Sequence, residues 1–333
     1  TMRDGYREEK ARLRRVAQRS VRGLSSRHVR MDDVSEALKR VVVVANRKGG
    51  VLKSSIVRNV ADVAARAGYR VAVVDGDPQG NLSEIDFGVD TDGGRGLAMA
   101  LQYGTDLVPV AASAGVDVIC GGPELQGAIG AAMMPGAEVS LEQNLRAALS
   151  RLTRQASYDL VLIDSGPGDT RLLDAYLWAA RWLIVPTLDD EAALAGVDKM
   201  GQRFVAAKRA GADIEFLGAV VGKVNPRATA RNAEVRREVE EMLGEEATPF
   251  DATIRYDAAG RVDARRHGMS ARDVAEEAVR QAKARLDRVK GSTQAPGDVW
   301  WSNAKNAGQG LAQDYEHLTR EILSRIGAKE AVA

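Results

Sequence analysis

Short apolar runs alternate with segments of helical periodicity over most of this chain. The runs are rich in β-branched residues and predict strands: 41–45, 70–74, 116–120, 158–163, 182–186, 214–221 and, as a last candidate, 249–254. The intervening segments predict helices: 54–67, 141–155, 171–180, 191–210, 228–243 and 271–289. Strands that are apolar throughout and alternate with helices are typical of a parallel sheet covered on both faces. The pattern therefore predicts one doubly wound, mostly parallel α/β domain over residues 41–290.

Two regions outside this domain have a different character. Residues 1–40 carry twelve basic and six acidic side chains and predict a basic amphipathic helix at 6–24 and a short helix at 31–39. For this helical N-terminal extension, packing on the main body and contact with DNA or a membrane both remain open. Residues 291–333 predict a linker and then an amphipathic C-terminal helix. The linker contains two adjacent tryptophans, Trp300 and Trp301.

The composition excludes several classes of protein. The hydrophobic fraction of 45% is that of a globular chain, and no run approaches the roughly 18 apolar residues of a membrane-spanning helix. The chain has one cysteine, Cys120, so it forms no intrachain disulfide and no cysteine-only metal cluster. The start of the sequence lacks a secretory signal, and we expect a cytoplasmic protein. The net charge of +1 does not by itself indicate a nucleic-acid partner.

The segment 46–55, N-R-K-G-G-V-L-K-S-S, follows a predicted strand and opens a predicted helix. In this setting backbone N–H groups and a helix N-terminus can hold phosphates. Gly49 and Gly50 allow the backbone to approach an anion closely, and Lys53 is placed to reach the β- and γ-phosphates. The two hydroxyls that follow are candidates for binding Mg²⁺ and for lying near the α-phosphate: Ser54 and Ser55.

Three aspartates stand at the ends of predicted strands. Asp75 and Asp77 lie in V-V-D-G-D-P-Q-G-N, and Asp164 ends the apolar run Y-D-L-V-L-I-D. Ligands of doubly wound folds bind at the carboxyl edge of the sheet, so these carboxylates are expected beside the phosphate loop. One of the first two can enter the Mg²⁺ shell while the other orients an attacking water, and Asp164 can contact Mg²⁺ through water.

Together these motifs resemble the deviant Walker-A ATPases of the ParA/MinD group. The run D-P-Q-G-N-L-S is most similar to the ParA branch, which segregates plasmids and chromosomes. The likeness continues through V-P-T at 185–187 and G-K-V-N-P-R at 222–227. It covers roughly residues 41–290 and the last helix. The resemblance implies a P-loop NTPase fold, with ATP and Mg²⁺ as cofactors.

The resemblance also implies a role for each matching residue. Lys48 would be the signature lysine that crosses the dimer interface to the partner's ATP, Lys53 the P-loop lysine and Asp77 the water-orienting carboxylate. The implied Mg²⁺ ligands are Ser54, Asp75 and Asp164. The implied nucleotide-binding residues are Lys48, Gly49, Gly50, Val51, Leu52, Lys53, Ser54, Ser55 and, on the adenine side, Asn225 and Pro226.

A ParA-type identity implies an ATP-dependent motor for DNA partition. Its ATP-sandwich homodimer would bind DNA of any sequence at the nucleoid, a ParB-type centromere-binding protein would stimulate hydrolysis, and no stable membrane association is expected. DNA contacts through phosphates require exposed basic residues. The candidates are Arg227, Arg231, Arg236, Arg237, Arg255, Arg261, Arg265 and Arg266.

Two alternatives remain open beside this motor. One is a MinD-like positioning ATPase, which needs an amphipathic helix that binds anionic lipid. The other is a nucleotide-binding form with impaired hydrolysis, because Leu52 stands where the family has glycine. A leucine there either places four carbons against the phosphates, forces the loop open, or points away harmlessly. If turnover is impaired, Leu52→Gly should raise ATP affinity or hydrolysis about tenfold. A second departure from the family lies at 253–257, where T-I-R-Y-D lacks the proline of the family's Ile-Pro-Arg stretch.

Overall fold

The structure is a computed structural model, and it describes residues 31–113, 115–134, 140–188, 191–243, 248–289, 302 and 308–331. The predicted helix at 6–24 and the Trp300–Trp301 pair lie outside these residues. Residues 37–333 form one compact unit, and the elements below belong to it except for the start of the first helix. Within the described ranges no helix is long and apolar enough to cross a membrane.

One eight-stranded sheet runs through this unit in the order β3-β4-β2-β5-β1-β6-β7-β8. The strands are β1 (Val41–Val44), β2 (Val71–Gly76), β3 (Val110–Ser113), β4 (Val116–Ile119), β5 (Leu160–Ser165), β6 (Trp182–Leu188), β7 (Glu215–Val224) and β8 (Ile254–Arg255). All neighbouring pairs are parallel except β3 with β4. The predicted fold class, a doubly wound, mostly parallel sheet, is confirmed.

The helices of the described residues lie between the strands along the chain, before the first strand or after the last one. They are α1 (Met31–Leu38), α2 (Lys53–Arg66), α3 (Arg95–Tyr103), α4 (Leu125–Ala132), α5 (Leu141–Ala156), α6 (Thr170–Ala179), α7 (Glu191–Arg209), α8 (Thr229–Leu243), α9 (Ala258–His267), α10 (Ala271–Val289) and α11 (Gly308–Glu330). A short π-helix spans Leu82–Asp86. Sequence periodicity did not predict α3, α4, α9 or the π-helix.

The central strands are buried along their whole length, which explains why they are apolar at every position. Strands β1, β2, β5 and β6 have only buried residues. One face of the sheet packs against α2 and α11 in a single core cluster that includes Val42, Ile56 and Ile322. The C-terminal helix α11 thus contributes its apolar side to the main core, although the boundaries predicted at 40/41 and 290/291 stay predictions.

The last predicted strand differs most from the structure, because only Ile254 and Arg255 pair with β7. The Phe250 ring is instead buried in the core, under the guanidinium of Arg325 at 4.2 Å. The backbone N–H groups of Asp251 and Ala252 donate to the Glu321 carboxylate, each at 3.0 Å. Since a side chain of α11 takes these donors, they do not extend the strand ladder.

The register of three central strands assembles the candidate site. Asp164 of β5 lies opposite Val44 of β1 on one side and opposite Asp75 of β2 on the other. The chain then leaves β1 into the loop that precedes α2. The phosphate loop and two of the predicted carboxylates therefore meet at the carboxyl edge of the sheet, where ligands bind in doubly wound folds.

Candidate nucleotide site

Asn46 anchors the start of the phosphate loop. Its buried side chain donates from Nδ2 to the Pro186 carbonyl at 2.7 Å and accepts the Lys48 N–H on Oδ1 at 3.0 Å. These bonds tie the loop after β1 to β6. Further along, Gly50 has φ +73°, a conformation that L side chains rarely adopt. The sequence supplied Asn46 within the motif, but its bond to the Pro186 carbonyl depends on a strand 140 residues away.

Leu52 precedes α2 in the left-handed region, with φ 70° and ψ 12°. A leucine in this conformation costs about 1–3 kcal/mol. Its side chain is buried in the core cluster, and its Cδ1 occupies the space that a side chain at Gly222 of β7 would need. The sequence left open whether the Leu52 side chain lies against the phosphates or points away from them. In the structure the side chain points toward β7, and the strain at Leu52 is confined to its left-handed backbone. The effect on turnover stays a prediction.

Lys53 is the first residue of α2, and its side chain is buried at the N-terminus of that helix. The ammonium donates to the Lys48 carbonyl at 3.1 Å. Burial lowers the pKa of Lys53, and attraction to Asp164 and Asp77 only partly offsets this. A buried cation beside a helix N-terminus creates a local positive potential, which suits an anionic ligand.

Asp164 is buried at the end of β5, and its Oδ1 accepts no hydrogen bond from the described residues. The Ser54 hydroxyl lies near this carboxylate and, together with Lys53, favours its ionised form. Desolvation, and then the nearby charge of Asp75, raise the pKa of Asp164 well above its usual value. A buried carboxylate oxygen without a partner requires an explanation, and a cation that binds between Asp164 and Ser54 is a chemically suitable one.

Asp75 is also buried, but its oxygens are engaged within the protein. Oδ2 accepts the Ser83 N–H at 2.9 Å and the Ser83 hydroxyl at 2.7 Å, while Oδ1 accepts the Asp77 N–H at 3.2 Å. Desolvation raises the pKa of Asp75 to about 6, although these hydrogen bonds oppose the shift. Asp75 thus connects the sheet edge to the π-helix, and its predicted role as a Mg²⁺ ligand stays a prediction.

Asp77 lies half-buried in the loop after β2, where its Oδ1 accepts the Gln79 N–H at 2.9 Å. Within the described ranges, no three carboxylate, histidine or cysteine side chains converge as a metal-binding group. Mg²⁺ commonly binds through one or two protein ligands and keeps several waters. The residues present therefore fit a Mg²⁺ that is held by Asp164, Ser54 and water.

A cavity of about 910 Å³ opens in front of the phosphate loop, within the size range of small-molecule sites. Seven of the residues predicted for the nucleotide and Mg²⁺ site line it: Gly49, Gly50, Leu52, Lys53, Ser54, Ser55 and Asp77. Lys48, Val51, Asn225 and Pro226 are not among its lining residues. Val51 is buried against Leu188, and Asn225 accepts the Arg227 N–H on its side chain. The predicted adenine side therefore lies away from this cavity and stays a prediction.

The opposite wall of the cavity was not predicted from the sequence. It is formed by the chain after β8, by α9, α10 and the turn between them, and by α11: Tyr256, Ala258, Arg261, Val262, Ala264, Arg265, Arg266, Met269, Ala271, Leu311 and Tyr315. The Tyr256 side chain is 61% exposed, and Tyr315 is buried. Three of the predicted DNA-binding arginines thus stand in the same cavity as the phosphate loop: Arg261, Arg265 and Arg266.

The other predicted DNA-binding arginines fall into two groups. Arg255 forms a bidentate ion pair with Asp314 at 2.7 and 2.8 Å, Arg236 pairs with Glu240 and Asp251, and Arg231 pairs with Glu234. Ion pairing within the protein reduces the charge that a phosphate would meet. In contrast, Arg227 and Arg237 are exposed. Neither forms an ion pair within the described part of the chain.

A family model described as an AAA domain matches residues 39–214, which is more than half of the chain and includes the phosphate loop, Asp75, Asp77 and Asp164. This chain belongs to that AAA domain family, in its ParA-type group. Among curated relatives, protein IncC of Escherichia coli is 30% identical over 224 residues, which cover 64% of this chain and 60% of IncC. The chromosome-partitioning ATPase Soj of Thermus thermophilus is 35% identical over 158 residues, covering 47% and 58%. The chain therefore matches about three fifths of the length of these AAA domain relatives.

A solved structure supports the same fold. The septum site-determining protein MinD of Pyrococcus horikoshii, complexed with Mg-ADP, has a TM-score of 0.57 at 20% identity. The match covers 85% of this chain and 95% of that protein. At this level of identity the similarity concerns the arrangement of sheet and helices alone.

Proposed function

We propose that this ParA-type protein is an ATP-dependent DNA partition motor. The observation that carries the proposal is the buried Lys53 ammonium, which lies at the N-terminus of α2, lines the cavity and is attracted by the buried carboxylate of Asp164. A helix N-terminus with a buried lysine suits phosphates, and a buried carboxylate with one oxygen that no described residue engages suits a cation. Bound Mg-ATP would meet both requirements. The triphosphate would supply the phosphoanhydride bond, and the magnesium ion would neutralise the phosphate charge.

In this proposal each residue has a limited task. Lys53 and the backbone of the phosphate loop hold the β- and γ-phosphates, and Ser54 with Asp164 binds the cation. Asp77 lies at the cavity edge, where a carboxylate can orient a water molecule. Lys48 is half-buried and is not among the residues that line the cavity. In an ATP-sandwich dimer it would act on the nucleotide of the partner protomer.

DNA binding is assigned to the exposed arginines that no ion pair engages in the described part of the chain. Arg227 precedes α8 and Arg237 lies on α8, whereas Arg261, Arg265 and Arg266 lie on α9. Arg231, Arg236 and Arg255 are weaker candidates, because each is paired with a carboxylate. Phosphate contacts give affinity that does not depend on sequence and that falls with salt. A ParB-type protein completes the proposed cycle by stimulating hydrolysis.

Co-sedimentation with DNA and release of inorganic phosphate test this function together. We expect Mg-ATP to be needed for binding to unrelated DNA sequences, and binding to weaken as salt rises. Arg227→Ala should weaken binding to all sequences alike, while Lys199→Ala, an exposed lysine on α7, serves as the matched control. Equal binding without nucleotide, or strong preference for one sequence, would contradict the motor. For the dimer, Lys48→Ala should abolish ATP-dependent dimerisation in light scattering and leave ATP binding largely intact.

The MinD-like alternative has less support from the described residues. The helix α11 buries its apolar positions, including Leu318, Ile322 and Ile326, in the main core, so this face is not available for lipid. Co-sedimentation with anionic liposomes, in the presence and absence of ATP, forms the second arm of the experiment. Lipid binding that requires ATP and exceeds DNA binding would favour the membrane function.

A further inference from the structure

Ser83 is a fully buried residue of the π-helix and contacts the carboxyl end of β2. Its hydroxyl donates to Asp75 Oδ2 at 2.7 Å, and its backbone N–H donates to the same oxygen at 2.9 Å. The Ser83 Oγ in turn accepts the Gly121 N–H at 3.2 Å, from the loop after β4. An ionised carboxylate only accepts and a backbone N–H only donates. The two neighbours of the Ser83 hydroxyl therefore fix the direction in which its proton points.

The Asp75 carboxylate is enclosed between Ser83 and Gly121. A Cβ at Gly121 would lie 2.7 Å from Asp75 Cγ and 2.9 Å from Asp75 Oδ1, so only a glycine leaves room for the carboxylate at this point. In the orientation that results, the second oxygen of Asp75, Oδ1, accepts the Asp77 N–H at 3.2 Å. A continuous chain of hydrogen bonds thus leads from the Ser83 hydroxyl through Asp75 to the backbone of Asp77.

Asp77 is the one member of this chain of hydrogen bonds that lines the cavity. The backbone between the two aspartates is fixed by the buried Tyr176 hydroxyl, which donates to the Gly76 carbonyl at 2.9 Å. Asp77 also packs closely on Gly166, where a Cβ would lie 3.1 Å from both Cα and Oδ1 of Asp77. The position of the Asp77 carboxylate is therefore sensitive to small displacements of its neighbours.

We infer that Ser83 is a positioning residue for ATP hydrolysis, which holds Asp75 so that the Asp77 carboxylate stays where it can orient the attacking water. This inference rests on the proposed function, since it requires ATP in the cavity and the water-orienting role of Asp77. Ser83 does not line the cavity, so it acts on the reaction through Asp75 and Asp77 and not through the nucleotide. Its loss should therefore lower turnover while leaving nucleotide affinity nearly unchanged.

The full chain is compared with Ser83→Ala and Ser83→Thr in two measurements: phosphate release at saturating ATP, and affinity for a non-hydrolysable ATP analogue with Mg²⁺ by calorimetry. Ser83→Ala should lower kcat about tenfold or more, because a small misplacement of a catalytic group is costly. Its affinity for the analogue should change less than about twofold, since Lys53 and the phosphate loop are untouched. Ser83→Thr keeps the hydroxyl and should retain kcat within about threefold of the wild type.

Thr319→Val is the matched control for the loss of a buried hydroxyl. The Thr319 hydroxyl on α11 donates to the Tyr315 carbonyl at 2.7 Å, and Thr319 does not line the cavity. This variant should lower the melting temperature without changing kcat. An unchanged kcat in Ser83→Ala, an equal loss of kcat in Thr319→Val, or a loss of analogue affinity as large as the loss of kcat would each overturn the inference.

Gly166→Ala provides a second variant in case Ser83→Ala is too unstable to assay. It adds a methyl group against Asp77 and leaves Ser83 and Asp75 unchanged. We expect it to lower kcat at nearly constant analogue affinity, as Ser83→Ala does. If kcat is unchanged in Gly166→Ala, turnover does not depend on the position of Asp77 and the inference fails. If the wild type releases no phosphate from ATP, the proposed function itself fails, which is a distinguishable result.

Discussion

The two walls of the nucleotide cavity are built in different ways. The wall formed by residues 49–55 comes from one continuous segment, and its conformation follows from a strand, a left-handed turn and a helix start. The wall formed by Tyr256, Arg261 and Tyr315 brings together the chain after β8, α9 and α11, and the ion pair of Arg255 with Asp314 joins β8 to α11. The first wall is encoded locally, so it can be recognised in a sequence, whereas the second depends on tertiary contacts that no short motif records.

The phosphate wall should show the largest effect. Lys53→Ala removes the buried ammonium and leaves Asp164 and Asp77 without their attracting cation. We expect ATP affinity to fall at least ~100-fold, since about 3 kcal/mol of charge-assisted hydrogen bonding is lost. Isothermal titration calorimetry measures it, with the exposed Lys199→Ala as control. A loss below about threefold would mean that the phosphates lie elsewhere in the cavity.

This wall and the fold around it were largely predictable from the sequence. The strands β1, β2, β5 and β6 are buried on both faces, and their unbroken apolar runs are the signature of that environment. Their carboxyl ends carry the phosphate loop, Asp75 and Asp164, and parallel pairing brings such ends together. Which oxygen of each aspartate is engaged was not predictable, because Ser83 reaches Asp75 only through the π-helix.

A pH dependence is expected at the carboxyl edge of the sheet, where Asp75 is buried at the end of β2. Its pKa is raised from 3.8 to about 6 in the folded protein, so the folded state holds a proton that the unfolded chain releases. Stability from this group is therefore present at pH 4 and is lost as the pH rises toward 6, by up to about 3 kcal/mol.

Urea unfolding between pH 4 and 7 measures this dependence. Asp75→Asn should flatten the curve between pH 4 and 6, whereas Asp90→Asn, at an exposed position, should leave its slope unchanged. Identical slopes in the wild type and Asp75→Asn would show that another group is responsible for the pH dependence.

Replacing Arg255, which lies beside the second wall, should lower the stability of the protein rather than its DNA affinity. Arg255→Ala breaks the bidentate pair with the mostly buried Asp314 and should lower the free energy of unfolding by about 1–3 kcal/mol. Arg227→Ala, at an exposed position, should weaken DNA binding without changing stability. Chemical denaturation and DNA co-sedimentation of both variants distinguish the two roles. If Arg255→Ala weakens DNA binding at unchanged stability, the sequence-based assignment is correct and the ion pair is dispensable.

The second wall escaped sequence analysis for a physical reason. Arg255 and Arg261 belong to the same short basic stretch, and their sequence context does not show that only Arg255 has Asp314 opposite it, 59 residues later. Likewise the segment 249–253 lies within the last predicted strand, but Glu321 accepts the backbone N–H groups of Asp251 and Ala252. Long-range side-chain contacts of this kind override local propensity.

A smaller loss of ATP affinity is expected from changing the residue that would contact the base of the nucleotide. Tyr256 presents an exposed ring on the cavity wall, held by its N–H bond to the Val224 carbonyl at 2.9 Å. Stacking of a base on an aromatic ring contributes about 1–3 kcal/mol, so Tyr256→Ala should weaken ATP binding about tenfold. Asn225→Ala should have a smaller effect, because Asn225 does not line the cavity. A larger loss in Asn225→Ala would place the base at the position implied by family resemblance.

The smallest change in ATP turnover is expected at Leu52, which combines a local backbone conformation with a long-range side-chain contact. Its backbone belongs to the phosphate wall and its side chain packs against Gly222 of β7. Leu52→Gly removes both the left-handed strain and the packing, whereas Leu52→Ala removes the packing and keeps the strain. Since the side chain points away from the phosphates, we expect both variants to change turnover less than about threefold, although each lowers stability. Phosphate release at saturating ATP, measured well below the melting temperature, compares them. A tenfold gain in Leu52→Gly that is absent from Leu52→Ala would show that backbone strain at φ 70° limits hydrolysis, and would favour the form with impaired turnover.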